Sequence, residues 1–189
     1  MARYLDTLDQ AADILQSAER ILLIGCSGSG KSTLATALAK RFGLTYISMD
    51  REVFWMPGWT PRPRAEALDR LRAFVDEPRW VIDGTSPGTL PLRLPRTDIL
   101  IWLRPPRRIS LYGVISRWWK FRGRTRPEMA DGCPERVTIE FLRYIWNFEK
   151  TQTPEIEAAL EKSGTDVPLI VLKSRAMNER LLALVTGRD

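Results

Sequence analysis

Lys31, Ser32, Asp50, Asp83 and a cluster of arginines are the side chains in this 189-residue sequence whose types and spacing support chemistry. Gly25, Gly30, Lys31 and Ser32 fill the fixed positions of G-x-x-x-x-G-K-[ST] within GCSGSGKST, residues 25–33. Glycines let the backbone curl until successive N–H groups point inward, making a nest for phosphate oxygens. A helix starting near Lys31 adds the positive end of its dipole. Gly25, Ser27, Gly28, Ser29, Gly30, Lys31, Ser32 and Thr33 are therefore the candidate nucleotide-binding positions. Lys31 is expected to reach the β- and γ-phosphates, and the Ser32 hydroxyl to ligate Mg²⁺. The plainer alternative is a flexible Gly/Ser turn carrying a surface lysine.

The flanks favour the phosphate loop. Ile21 to Ile24 is the continuous apolar run of a strand buried on both faces. Leu34, Ala35, Leu38, Ala39 and Phe42 then recur at helical spacing, and Gly43 is placed to cap that helix. A second strand, Leu44 to Ser48, ends at Met49-Asp50. Ligands of open α/β sheets gather outside the carboxyl ends of strands, so Asp50 suits orientation of a phosphate acceptor or of the water around a metal. It also suits an N-cap. Trp80 to Asp83 reads as a third strand, with Asp83 available to Mg²⁺ beside Ser32, or else forming an ordinary Asp-Gly turn with Gly84. Trp55 and Trp59, around Pro57-Gly58, either wall an apolar pocket for a planar substrate or pack on the core.

Every charged side chain from Arg104 to Arg126 is cationic: Arg104, Arg107, Arg108, Arg117, Lys120, Arg122, Arg124 and Arg126. Pro105-Pro106 opens a helix running to about Trp119. Phe121 to Pro134 is too rich in glycine and proline for a continuous helix and reads as a mobile lid. Lid arginines neutralise charge that develops during phosphoryl transfer, which makes Arg117, Arg122, Arg124 and Arg126 candidates. A solvated basic surface is the alternative.

The net charge of +6 suits binding of small polyanions, nucleic acid or acidic surfaces. The apolar runs are too short for a membrane span, so no membrane partner is expected. Cys26 and Cys133 form no disulfide framework, and without histidine no metal-ligand spacing arises, which suggests a reducing cytoplasm. The remaining elements position the site. Residues 5–18 and Arg64–Val75 show helical spacing, and Thr85 to Arg96 reads as a loop. Asp98–Leu103 and Val167–Leu172 are strands. Glu135–Lys150 is a helix that Pro154 interrupts, with helix resuming over Glu155–Lys162, and Ala176–Val185 closes the chain. The alternation gives one doubly wound α/β unit.

On these motifs the sequence resembles the adenylate-kinase-like small kinases: the phosphate loop, the Asp83-Gly84 strand end, the arginine-rich lid and Lys173-Ser-Arg175 after a late strand. More narrowly, DREVFWMPGW (50–59), WVIDG (80–84) and KFRGRTRPEMADGCPERVTIEFLRYIW (120–146) are similar to the DNA topology modulation proteins. The likeness begins near residue 20, leaving 1–20 as an N-terminal extension helix before a kinase-like domain at 21–189, with its lid at about 120–135. The resemblance implies a P-loop NTPase, a three-layer α/β/α fold with a five-stranded parallel sheet in order 2-3-1-4-5. It implies ATP on the phosphate loop, an acceptor under the second and third strand ends, and Arg175 packed on adenine. Asp83 would serve the metal, while Arg117 and Arg122 would contact phosphate. The sequence departs from the adenylate-kinase pattern after Asp83-Gly84, where the next arginine is Arg93.

Taken together, these features imply transfer of the ATP γ-phosphoryl group to a nucleotide or other small-molecule acceptor. The catalytic candidates are Lys31, Asp50, Arg117, Arg122 and Arg124. The alternative is a nucleotide-binding regulatory protein that contacts DNA through its basic block, which would show a steep salt dependence.

Overall fold

In a computed structural model, which describes residues 2–187, six parallel strands form one sheet with helices on both faces. Met1, Arg188 and Asp189, at the outer ends of the two expected ranges, lie outside the described residues. The elements run β1 (Arg3–Tyr4), α1 (Leu8–Leu15), β2 (Arg20–Gly25), α2 (Lys31–Phe42) and β3 (Thr45–Ser48). A π-helical turn, Met49–Phe54, leads to β4 (Trp55–Met56), β5 (Thr60–Pro61), α3 (Arg64–Asp76) and β6 (Trp80–Asp83). Then come α4 (Leu90–Arg93), β7 (Ile99–Leu103), α5 (Arg107–Lys120), α6 (Ile139–Ser163), β8 (Pro168–Leu172) and α7 (Arg175–Thr186).

The sheet order is β1-β8-β7-β2-β6-β3. Within it, the five expected strands stand in the expected order, and β1 adds a sixth at the edge. Five was an undercount, because a two-residue strand carries no periodicity. Arg3 and Tyr4 take their places only by pairing with Pro168 and Leu169 of β8. Alternation along the central strands feeds two cores. Leu22, Ile24, Leu100 and Trp102 enter one, with α3 and α6, while Ile21, Leu23, Ile99 and Ile101 enter the other, with α1, α2 and α7. No described helix is long and apolar enough to cross a membrane.

Three local expectations are corrected. Residues 85–96, expected as a loop, wind into α4 between two 3-10 turns, Pro87–Thr89 and Leu94–Arg96. Pro87, Pro91 and Pro95 each sit in the first turn of a short helix, where the missing N–H has no partner to lose. Pro154 does not interrupt α6, which runs unbroken for 25 residues. Pro154 is exposed, so the carbonyl it cannot pair faces water, while Thr153, Ile156 and Leu160 anchor the inner face. The same helix starts at Ile139 rather than Glu135. Thr138 caps it by accepting a hydrogen bond from the Phe141 N–H, leaving Glu135 free to turn inward.

The lid segment is docked. The Ser48 hydroxyl donates to the Glu128 carbonyl at 2.8 Å, and Arg51 donates to the Pro127 carbonyl at 2.8 Å. Met129, Ala130 and Cys133 pack against Trp55 and Trp59, whose rings meet edge to face at 5.2 Å. The tryptophans therefore fasten the lid to the β4–β5 hairpin and are absent from the lining of the cleft at the phosphate loop.

Candidate functional site

Glycine chemistry fixes the floor of the site. Gly28 has φ +79°, and a Cβ there would lie 2.1 Å from the Ser110 carbonyl oxygen of α5. On the helix side, a Cβ at Gly113 would lie 2.2 Å from the Gly28 oxygen. Two glycines thus let the phosphate loop rest backbone to backbone on α5. From the other side, the Thr85 hydroxyl donates to the Gly25 carbonyl and accepts from the Gly25 N–H, both at 2.7 Å. The strand end carrying the loop is clamped between α5 and the turn after Asp83.

The loop opens into a cleft of about 560 Å³. Gly25, Ser27, Gly28, Gly30, Lys31, Ser32 and Thr33 line it, while Ser29 is buried beneath the loop. Lys31 Nζ donates to the Cys26 carbonyl at 2.9 Å. Burial lowers the Lys31 ammonium pKa, and the Asp83 carboxylate opposes that shift. The Cys26 thiol is pushed up to about 11 by burial, so it is a packed, unreactive group.

Asp83, at the carboxyl end of β6, is 5% exposed. Its Oδ2 accepts from the Tyr46 hydroxyl at 3.2 Å, and Tyr46 also engages Ser32. Burial and the Asp83 charge raise the Tyr46 phenol pKa, so it stays a neutral donor. Asp83 Oδ1 is buried with no protein partner. A carboxylate oxygen left over beside a serine hydroxyl fits a hard cation that takes oxygen ligands. Among the described residues no three His, Cys, Asp or Glu side chains form a metal-holding group.

Asp50 sits in the π-helical turn after β3, a form of turn often found at functional sites. About half of its side-chain surface is open to the cleft. Desolvation within the cleft raises its carboxyl pKa, against the pull of Arg126, whose Nη2 lies 3.4 Å away. Arg126 also lies 3.1 Å from Glu135 Oε2 and 3.9 Å from Glu128. The other Glu135 oxygen accepts from Arg117 Nε at 2.8 Å. Burial and the neighbouring Arg126 charge lower the Arg117 pKa, and Glu135 raises it.

Lys31, Ser32, Asp50, Asp83, Arg117 and Arg175 therefore meet in one cleft, joined by Arg126. Arg122 and Arg124 lie outside it: the Arg122 guanidinium sits over the Trp118 ring at 5.3 Å, and Arg124 is exposed on the lid. Arg175 stands at the far rim, its guanidinium 5.5 Å from the Tyr112 ring centre. Arg93 is fully buried and donates to the carbonyls of Gly84 at 2.7 Å and Ser86 at 3.0 Å, holding the turn after Asp83 rather than facing the cleft. Sequence reasoning missed Glu135, Tyr46, Thr85 and Gly113. Thr85 directly follows Asp83-Gly84, and Gly113 is a lone glycine in a helix, a usual mark of close backbone approach. Nothing local distinguishes Glu135 from the other acids of a polar stretch.

Residues 21–78 match the model of the ATPase family associated with various cellular activities (AAA). None of the curated proteins matches the sequence. The shikimate kinase from Acinetobacter baumannii, solved in complex with shikimate, is similar in structure: TM-score 0.55, 16% identity, 94% of this chain and 98% of that one covered. The shikimate kinase from Bacteroides thetaiotaomicron is similar with TM-score 0.54 and 16% identity, over 90% of this chain and 98% of its own. These likenesses, with the sheet and loop described above, give a P-loop NTPase fold.

Proposed function

We propose that this chain transfers the γ-phosphoryl group of ATP to a small-molecule acceptor, with Mg²⁺ as the metal, in the cytoplasm. The observation that carries the reading is the convergence of Lys31 and Ser32 with Asp50 and Arg117 on one cleft. Two solved proteins of similar fold are kinases by name, which supports a phosphotransfer chemistry.

The loop amides and Lys31 bind the phosphate chain and orient the γ-group. A desolvated lysine is a strong partner for phosphate, because phosphate restores the interactions its ammonium lost to burial. Ser32 and Asp83 would hold Mg²⁺, with the Tyr46 hydroxyl donating to Asp83 Oδ2 and leaving Oδ1 for the metal. Bound there, the metal supplies charge neutralisation at the phosphate oxygens. Arg117 adds positive charge where negative charge develops, and Glu135 keeps its guanidinium in place. Asp50 accepts the proton of the acceptor hydroxyl, a task suited to a carboxylate of raised pKa. Arg175 lies at the rim that suits an adenine ring.

Isothermal titration with ATP·Mg, followed by ADP release with and without acceptors, tests the reading. Binding in the micromolar range and acceptor-dependent ADP formation are expected. No heat with ATP·Mg overturns it. The reading as a DNA-contacting regulator is weakened by how the basic block is used. Arg104 pairs with Glu149 and Glu157, Arg117 and Arg126 with Glu135, and Arg107 stacks on Trp146 at 3.7 Å. DNA affinity that falls with salt at a log–log slope of several, roughly 0.9 per phosphate contacted, would favour that rival.

A further inference from the structure

A second cavity of about 620 Å³ lies behind the phosphate loop, and no residue lines both it and the nucleotide cleft. Cys26 forms its wall on the loop side, while the flanking Gly25 and Ser27 line the cleft. Leu103, Ile145, Trp146 and Phe148 supply apolar walls. The charge around them is positive. Arg104, Arg107, Lys150 and Lys173 stand against one acid, Glu149, which Arg104 already holds. Arg107, Lys150 and Lys173 are exposed, and none is in an ion pair among the described residues. Arg107 instead lies over the Trp146 ring, 3.7 Å from its centre. The cavity also reaches the start of α5, which opens on Pro105-Pro106 and whose first amides no side chain caps. One turn in, Ser110 is 1% exposed. Its hydroxyl makes no regular hydrogen bond and has only the Cys26 thiol, a weak acceptor, beside it.

We infer that this cavity binds a small amphipathic anion, with one carboxylate or phosphate head on a flat or apolar body. A buried hydroxyl without a good partner costs free energy that a ligand oxygen recovers. The first-turn amides of α5 and the unpaired Arg107, Lys150 and Lys173 offer the same head charge-assisted hydrogen bonds. Four cations against one carboxylate select an anion over a neutral or cationic compound. The apolar walls and the Trp146 ring take the body out of water. The volume lies in the ordinary range for small-molecule sites, more than a bare inorganic ion needs. Such a ligand also touches the phosphate loop from behind. The Cys26 carbonyl holds Lys31 Nζ at 2.9 Å, and the Ser110 carbonyl backs Gly28, so it packs on two residues that shape the nucleotide floor.

Calorimetry on the whole chain tests the site, with phenylacetate and phenyl phosphate as probes. Acetate and inorganic phosphate supply the head alone, and benzyl alcohol the body alone. One or both probes are expected to bind one site per chain, about tenfold or more tighter than any of those three. Lys150→Glu combined with Lys173→Glu should weaken that binding by about tenfold or more, with Tm unchanged because both side chains are exposed. Ser110→Ala should weaken it by about threefold or more. Lys31→Met should leave it within about twofold, since Lys31 lines only the nucleotide cleft. The tighter probe tells a carboxylate ligand from a phosphate one. The site is overturned if neither probe binds saturably, or if benzyl alcohol binds as tightly as they do. It is also overturned if Lys31→Met abolishes binding and the lysine reversals spare it, which places the probe in the nucleotide cleft. ATP·Mg binding at the loop stands or falls on its own titration.

Discussion

Arg117 Nη2 lies 2.6 Å from Glu135 Oε1, an ion pair that ties the last turns of α5 to the far end of the lid. Because Oε2 of the same carboxylate faces Arg126, one buried acid orients an arginine of α5 and an arginine of the lid. Removing that acid leaves the buried Arg126 and the partly buried Arg117 without their shared partner, at up to about 3–5 kcal/mol, the cost of a broken buried pair. Glu135→Gln is therefore expected to lower Tm by several degrees and turnover by roughly tenfold or more, since Arg117 loses its aim. Calorimetric affinity for ATP·Mg should change far less than kcat, because the loop amides and Lys31 remain. A fall in affinity with kcat unchanged would refute the positioning role.

Lys31 carries the opposite balance between stability and function. Its ammonium is desolvated in the folded chain, so Lys31→Met is expected to keep or raise Tm. ADP formation should fall by about 10²–10³, the usual loss for one group that stabilises developing charge. Thermal melts and initial rates on the same sample check both.

Asp50 gives a pH signature. Desolvation raises its carboxyl above an aspartate's usual 3.8, so the carboxylate that accepts a proton appears later as pH climbs. The acid limb of kcat/KM is expected above that value, and Asp50→Asn should remove the limb and lower turnover by about 10²–10⁴. A group whose folded pKa is raised contributes stability below its unfolded pKa, and that contribution is lost as pH rises through the folded value. Asp50→Asn should therefore not lower Tm at pH 7.

The glycine contact between loop and helix is a steric prediction. Gly113→Ala adds a Cβ 2.2 Å from the Gly28 oxygen, a clash of backbone with backbone that no side-chain rotation relieves. A loss of roughly 1–3 kcal/mol is expected, with weakened ATP·Mg binding because the loop is pushed out of shape. Denaturant melts and calorimetry measure the two.

The lid arginines separate by position. Arg117→Ala is expected to cost about 10³ or more in turnover. Arg122→Ala and Arg124→Ala should stay within about threefold, because neither side chain lines the cleft. Equal losses at all three would show that the lid moves further than its docked contacts suggest.

Local patterns were enough to locate the phosphate loop. Its glycines, lysine and serine lie within eight residues, Gly25 to Ser32, so the geometry that matters is set by the chain's own turn and the helix after it. Asp50 and Asp83 were legible for a related reason: strand ends in such a sheet point to one crevice, so an acid in the right register arrives there. The central strands were equally plain, because full burial leaves a continuous apolar run, as in Ile99–Leu103. What the linear order concealed was pairing across distance. Four candidate arginines looked alike, and only folding sends Arg117 and Arg126 to Glu135 while Arg122 covers a tryptophan. The edge strand Arg3–Tyr4, the unbroken helix through Pro154 and the contact of Gly28 with Gly113 share that cause. Each is settled by a neighbour far away in the chain, and a local sequence pattern reports only the residues next to it.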